Sequence, residues 1–172
     1  CSSDLRFGIA VIVIVVGLLA LMGWGLANNS QTRPQVGDDA PDLELFWLEG
    51  YKPVDAPLTN HGDTHLVQFK GDIIVLNFWA SWCIECIAET PELEAFHQKY
   101  KDQGVEVLGV AYTDIDTNSV EFLQRYGATY GNAPDLGGRL SNAYQILGVP
   151  ETFVIDQEGN IAASFIGPVS EI

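Results

Sequence analysis

The sequence predicts an α/β fold, in which helices flank a sheet, preceded by a separate apolar helix. Three observations lead to this prediction. Residues 73–79 and 105–112 are apolar runs suited to buried strands, and residues 84–101 between them have a helical pattern. Residues 152–155 and 161–166 suit the two strands of a hairpin. This order of strand, helix, strand and hairpin is typical of α/β proteins.

The apolar helix is predicted at residues 7–27, where 21 residues carry no charge. A helix of this length spans about 30 Å, the thickness of the hydrocarbon core of a bilayer. Trp24 lies near one end, where an aromatic ring meets the lipid headgroups. The sequence therefore predicts a membrane anchor over residues 1–27. Arg6 precedes the helix and Arg33 follows it, so the distribution of positive charge does not decide the orientation.

Residues 28–40 are predicted to form a polar linker, and residues 41–172 one domain of ordinary size. Besides the elements above, the domain is expected to contain four further segments. They are a strand at 43–48, a loop at 53–64, and short helices at 119–126 and 140–147.

Charge and cysteine content restrict the possible functions. The net charge of −15 should repel nucleic acid, and it indicates either an ordinary solvated surface or one that favours a basic partner. Three cysteines are too few for a disulfide-stapled scaffold, and one C-x-x-C pair cannot supply four zinc ligands. No metal or other cofactor is therefore expected. Cys1 suits either an acylated lipoprotein cysteine or a trimmed terminus.

The chemistry is expected at Cys83 and Cys86, where a predicted strand passes into a helix. Unpaired backbone N–H groups and the helix dipole stabilise a thiolate at a helix start. Cys83 is therefore predicted to attack a substrate disulfide. Cys86, one turn further and more buried, is predicted to resolve the mixed disulfide. A structural pair usually needs a second pair to bind zinc, so a redox role is favoured.

The run NFWASWCIEC, followed by Glu89-Thr90-Pro91, resembles the thioredoxin superfamily and, within it, the TlpA/ResA/DsbE-like thiol–disulfide oxidoreductases. The segments GVPETFVID (148–156) and GDDAPDL (37–43) resemble the same branch. The resemblance implies a thioredoxin-like fold with a central mixed sheet, a redox-active Cys83–Cys86 disulfide, and helix or lipid anchorage on the periplasmic face of the cytoplasmic membrane. It also implies dithiol chemistry on cysteine-containing proteins such as apocytochromes. The family's last helix would begin where this sequence stops, so the domain is expected to lack it.

The resemblance also implies roles for individual residues. Pro150 matches the family's cis-proline, which faces the disulfide and presents the backbone of Val149 for strand-like pairing with a substrate. Trp82 is expected to shield the disulfide and contact substrates, whereas Trp79 is expected to pack in the core.

Glu89 matches an active-site glutamate of the family. Typical thioredoxins have a buried aspartate where this chain has Asn77, and an amide cannot take up a proton near neutral pH. A partly buried Glu89 would have a raised pKa and could relay protons to or from Cys86. The alternative interpretation is an ordinary surface glutamate on a helix.

Two residues near the cysteines depart from the family. Glu85 stands where members usually have proline, and Ile87 stands where they often have lysine or arginine. Both changes lower the positive potential near Cys83, so its thiolate should be less stabilised and the protein a reductant.

The sequence leaves three functions to consider. The leading hypothesis is a membrane-tethered reductase or isomerase of protein disulfides. The alternative is a non-catalytic accessory subunit of a larger membrane complex, with a vestigial or structural cysteine pair. A peroxiredoxin is disfavoured, because a peroxidatic site uses a lone activated cysteine, whereas this chain has W-C-x-x-C.

Overall fold

The computed structural model describes the backbone of residues 2–28, 32–59, 61 and 63–169. It divides into two compact units, Cys1–Thr32 and Arg33–Ile172. The first unit contains helix α1, Ser2–Asn28. Among the described residues, none of the helices combines the length and the apolar character that a membrane span requires. In this helix the side chains at 6, 8 and 11–24 are described, so the predicted span at 7–27 lies partly outside them. The predicted lipidation site, Cys1, lies outside the described residues.

The second unit is built on a mixed sheet. Its strands are β1 (Glu44–Leu45), β2 (Thr64–His65), β3 (Ile73–Trp79), β4 (Val105–Tyr112), β5 (Gly131–Asp135), β6 (Glu151–Ile155) and β7 (Ile161–Ile166). β1 and β2 form an antiparallel pair, and the others form one sheet in the order β5-β4-β3-β6-β7. β3, β4 and β5 are parallel, whereas β6 runs antiparallel to β3 and to β7. The mixed sheet confirms the α/β prediction.

Helices cover both faces of this sheet. They are α2 (Ile84–Tyr100), α3 (Asp116–Tyr126) and α4 (Arg139–Tyr144), with short 3₁₀ turns at Leu66–Phe69 and Lys101–Gln103. Successive side chains of a strand point to opposite faces. Leu76 and Phe78 of β3 accordingly pack in the cluster that contains Tyr144 of α4. Val75 and Trp79 pack in the cluster that contains Cys83, Cys86, Leu93 of α2 and Phe122 of α3. Burial on both faces explains why β3 is apolar apart from Asn77.

The predictions for β3, β4 and β7 match the structure in their bounds, and β6 begins one residue before the predicted 152. The other elements differ more. The strand predicted at 43–48 is reduced to β1, because the chain then turns away and Leu48 N–H donates to the carbonyl of Asn132 in β5. β5 was not predicted, since its sequence GNAPD lacks strand-forming residues. Pro134 is tolerated there because β5 is an edge strand.

The helix bounds also shift. α3 begins at Asp116, before the predicted residue 119, and α4 ends at Tyr144, before the predicted residue 147. α4 ends early because Gln145 adopts a left-handed conformation, with φ of 49°.

Part of the predicted linker 28–40 belongs to the domain, since the boundary between the units lies after Thr32. Gly37 N–H donates to the carbonyl of Ile161, and Ala40 N–H to that of Gly159. These bonds attach the segment to the β6–β7 hairpin. The polar side chains of this segment gave no sign of the attachment, because the attachment uses backbone groups.

Candidate active site

Cys83 and Cys86 lie at the start of α2, directly after the turn that follows β3. Cys83 is the N-cap residue, with extended backbone (φ −87°, ψ 118°), and its Sγ accepts a hydrogen bond from Cys86 N–H at 3.1 Å. The two residues are joined by a disulfide, with their Cα atoms 5.3 Å apart. The sulfur of Cys83 therefore lies where the unpaired N–H groups and dipole of α2 act.

Both cysteines are buried in this oxidised state, with Cys83 4% and Cys86 1% exposed. Cys86 is the more buried of the two, as predicted, but the difference in exposed fraction is small. A partner must therefore reach Cys83 through the residues around it. Trp82 and Ile84, on either side of Cys83, are both exposed.

The two tryptophans of the motif have different environments. Trp79 is buried, stacks on Phe122 with ring centroids 4.8 Å apart, and donates from Nε1 to Asn132 Oδ1 at 2.8 Å. It therefore packs in the core, as predicted. Trp82 is exposed, and its ring centroid lies 6.5 Å from that of Tyr112. The ring of Trp82 is therefore accessible to a partner protein.

Glu89 is buried, at 2% exposed, so it is not a surface glutamate. Asn77 Nδ2 donates to Glu89 Oε1, and Val169 N–H donates to Oε2 at 2.8 Å. Burial raises the pKa of Glu89, and the hydrogen bonds from Val169 and Asn77 oppose this in part. The carboxyl group lies three residues after Cys86 on the same helix, where side chains share a face.

The Val149–Pro150 peptide bond is cis, and Pro150 is buried. Val149 packs against the apolar cluster that contains Cys83 and Cys86. The structure thus brings this segment, which precedes β6, to the same cluster as the disulfide, although the residues lie far apart in the sequence.

Asp114 is a site residue that sequence reasoning missed. Its carboxylate is buried and accepts hydrogen bonds from Ser81 N–H at 2.7 Å and from Ile115 N–H at 2.9 Å. Ser81 lies in the turn that leads to Cys83, so Asp114 ties that turn to the loop after β4. Its position just after a buried strand, at the sheet edge where sites form, was the available signal.

No group of three or more His, Cys, Asp or Glu side chains among the described residues is arranged to hold a metal ion. His65 lies between two acids, with Nδ1 2.7 Å from Asp42 and Nε2 3.4 Å from Asp63. The hydrogen bond to Asp42 is the main cause that raises the pKa of His65. These contacts form a cluster of polar side chains around His65 of β2.

Comparisons with known proteins agree with this architecture. The family model described as the AhpC/TSA family matches residues 36–164. The thiol–disulfide oxidoreductase ResA of Geobacillus thermodenitrificans (strain NG80-2) is 32% identical over 162 residues, which cover 92% of this chain and 87% of that protein. ResA of Bacillus thuringiensis subsp. konkukian (strain 97-27) is 27% identical over 166 residues, covering 96% of this chain and 90% of that protein.

A solved structure shares the fold. A Chlorobium tepidum protein assigned as the thiol:disulfide interchange protein DsbE superposes with a TM-score of 0.66 and 28% identity, covering 79% of this chain and 88% of that one. The thioredoxin-like fold is thereby confirmed. Because the family model matches most of the chain and the Geobacillus relative matches nearly all of it, the chain belongs to the AhpC/TSA family and is a thiol–disulfide oxidoreductase of the ResA/DsbE type.

Proposed function

We propose that this protein reduces disulfides in other proteins, on the extracytoplasmic side of a membrane to which its N-terminal helix tethers it. The observation that carries the chemistry is the Cys83–Cys86 pair at the start of α2, with the buried carboxyl group of Glu89 on the same helix. An attacking thiol, a resolving thiol and a group able to hold a proton are all that thiol–disulfide exchange needs.

The proposed reaction starts from the reduced dithiol. The Cys83 thiol loses its proton to water, and the thiolate attacks a substrate disulfide, which breaks and releases one substrate thiolate that takes up a proton. The Cys86 thiol then gives its proton to Glu89, and its sulfur attacks Cys83 Sγ. The mixed disulfide breaks and the second substrate thiolate leaves, with a proton returned from Glu89 through water. Two electrons and two protons pass to the substrate, and an external dithiol must reduce the Cys83–Cys86 disulfide again.

The proposed substrate surface surrounds Cys83. Trp82, Ile84 and Leu147 are exposed apolar side chains in the segments on either side of the site. The backbone of Val149, whose side chain packs with the cysteine cluster, is proposed to pair with an extended substrate segment. Apolar contacts of this kind suit unfolded cysteine-containing proteins, among which apocytochromes are candidates.

The proposed location rests on the sequence. Residues 7–27 carry no charge and lie within α1. Protease added to intact spheroplasts should remove the globular domain. Full protection, with cleavage after the spheroplasts are lysed, would contradict the extracytoplasmic location.

Insulin reduction by the full chain, with dithiothreitol as electron donor, tests the activity. We expect the wild type to catalyse the reaction and Cys83→Ser to remain at the uncatalysed rate. Ser119→Ala, far from the cysteines in sequence and buried in α3, is a control for handling and folding. A folded wild-type chain that is no faster than Cys83→Ser would favour the alternative of a non-catalytic accessory subunit.

A further inference from the structure

Arg33, the first residue of the globular unit, is bound to the segment that leads into β6. Its side chain is 20% exposed, and one guanidinium nitrogen, Nη1, donates to the carbonyl of Gln145 at 3.0 Å. The other, Nη2, forms an ion pair with Glu151 Oε1. The guanidinium carbon also lies 5.3 Å from the ring centre of Phe153, over its face. The sequence predicted Arg33 to be a linker residue, so nothing in that prediction explains these contacts.

Glu151 is completely buried, with a side chain 0% exposed. Its second oxygen, Oε2, accepts a hydrogen bond from Leu147 N–H at 2.8 Å. A buried carboxylate is costly unless it is paired and hydrogen-bonded. The ion pair compensates the charge at Oε1, which accepts no hydrogen bond among the described residues, and Leu147 N–H supplies the hydrogen bond at Oε2.

Arg33 and Glu151 therefore hold the segment 145–151 at two points. Arg33 binds the carbonyl of Gln145 at one end, and Glu151, at the other end, binds the N–H of Leu147. The ion pair between Arg33 and Glu151 links these two points of attachment. The residues between these two points include Val149, which packs against the apolar cluster that contains Cys83 and Cys86.

We propose that Arg33 and Glu151 form a positioning pair that holds the backbone of residues 147–150 ready to bind a substrate segment. The inference rests on the proposed function, because it assumes that substrates dock on this segment. Arg33 and Glu151 act through the segment and touch neither the cysteines nor the substrate. The pair should therefore affect docking of a polypeptide, and it should leave the exchange chemistry of Cys83 unchanged.

The test compares a protein substrate with a small one, using the full chain. Arg33→Gln removes the charge that compensates Glu151. We expect its KM for insulin to rise about tenfold with kcat within about twofold, which is the signature of lost ground-state binding. Reduction of 5,5′-dithiobis(2-nitrobenzoate), which is too small to pair with the segment, should change less than about twofold. Arg33→Lys keeps the positive charge and should recover part of the loss in KM.

Two further variants separate positioning from general stability. Arg139→Gln is the matched control, since Arg139 is an exposed arginine that also contacts a carboxylate, that of Glu44 at 3.5 Å. Arg139→Gln makes the same change of charge and should leave the reduction kinetics of both substrates unchanged. Arg33→Gln combined with Glu151→Gln removes the uncompensated buried charge, so its KM should be lower than that of Arg33→Gln alone.

Hydrogen exchange of the Leu147 amide provides a readout that does not depend on activity. We expect exchange at Leu147 to be at least about tenfold faster in Arg33→Gln, with the amide of Leu108 in β4 unchanged. An unchanged Leu147 amide, equal losses with insulin and the small disulfide, or the same effect in Arg139→Gln would overturn the proposal. If the wild type itself fails to reduce insulin, the proposed function fails, and exchange at Leu147 still decides whether the pair positions the segment.

Discussion

The side-chain amide of Asn77 on β3 donates a hydrogen bond to the carboxyl group of Glu89 on α2, and both side chains are at most 2% exposed. Asn77 Nδ2 also donates to Thr152 Oγ1 at 3.0 Å, so the orientation of the amide is defined by two acceptors. An amide does not titrate, and the proton-holding group of this pair is therefore Glu89. The buried titratable carboxyl group is supplied by the helix, while the strand supplies a neutral donor.

The pH dependence of stability should reveal this buried carboxyl group. Burial raises the pKa of Glu89, so the folded protein keeps its proton at pH values where the unfolded chain has lost it. The free energy of unfolding should therefore fall as the pH rises from the ordinary pKa, 4.5, through the raised folded value. Glu89→Gln lacks this contribution, and its stability should fall less than that of the wild type between about pH 5 and pH 8.

Urea unfolding at a series of pH values measures this difference. Glu85→Gln is the matched control, because Glu85 is an exposed glutamate on the same helix and its replacement makes the same change of charge. Its pH profile should follow that of the wild type. Parallel profiles for Glu89→Gln and the wild type would contradict a raised pKa at Glu89.

The proposed roles of the two cysteines, Cys83 attacking and Cys86 resolving, predict which variant captures substrates. Cys83 lies at the N-cap of α2 and Cys86 one turn inside it. Cys86→Ala should accumulate mixed disulfides between Cys83 and partner proteins, since the resolving thiol is missing. Non-reducing electrophoresis after alkylation measures these adducts, and Cys83→Ala serves as the control. Stronger trapping by Cys83→Ala would reverse the assignment.

The buried carboxylate of Asp114 should stabilise the turn before Cys83. Asp114→Ala leaves Ser81 N–H without its acceptor, and we expect the free energy of unfolding to fall by about 1–3 kcal/mol. Asp114→Asn retains an acceptor oxygen, so its free energy of unfolding should fall by less. Urea unfolding measures both, with Glu121→Ala, an exposed acid on α3, as the control. A loss for Asp114→Ala within about 0.5 kcal/mol, as for an ordinary surface change, would show that this contact is unimportant.

The charge between the two cysteines should influence the redox potential. Glu85 disfavours a nearby thiolate, so we expect a wild-type potential closer to about −270 mV than to the ~−120 mV of a strong oxidant. Glu85→Pro should make the protein more oxidising, and the first turn of a helix tolerates proline. Because Glu85 is exposed, salt should reduce the shift.

Redox titration against glutathione mixtures measures these potentials. Glu85→Gln removes the charge without adding proline, and it therefore separates the two effects. A wild-type potential near the oxidant value, or an unchanged potential in both variants, would show that this charge does not control the site.

The sequence by itself determined the elements whose signals are local. The apolar runs of β3 and β4 predicted their bounds, because both faces of these strands are buried along most of their length and most of their residues are apolar. Cys83 and Cys86 were recognisable because three residues of helix suffice to bring the thiols together. β5 was missed, since its pairing with β4 comes from position in the sheet and its residues have low strand propensity.

The tertiary structure alone decided the contacts between segments distant in sequence. Ser81 meets Asp114 across 33 positions, and Arg33 meets Gln145 across 112. The composition of residues 28–40 indicated a solvated linker, yet Arg33 compensates the buried Glu151. The physical reason is that charge compensation and hydrogen bonding depend on distance in space, and no local pattern of residue types records which distant backbone or carboxyl group the folded chain will bring near.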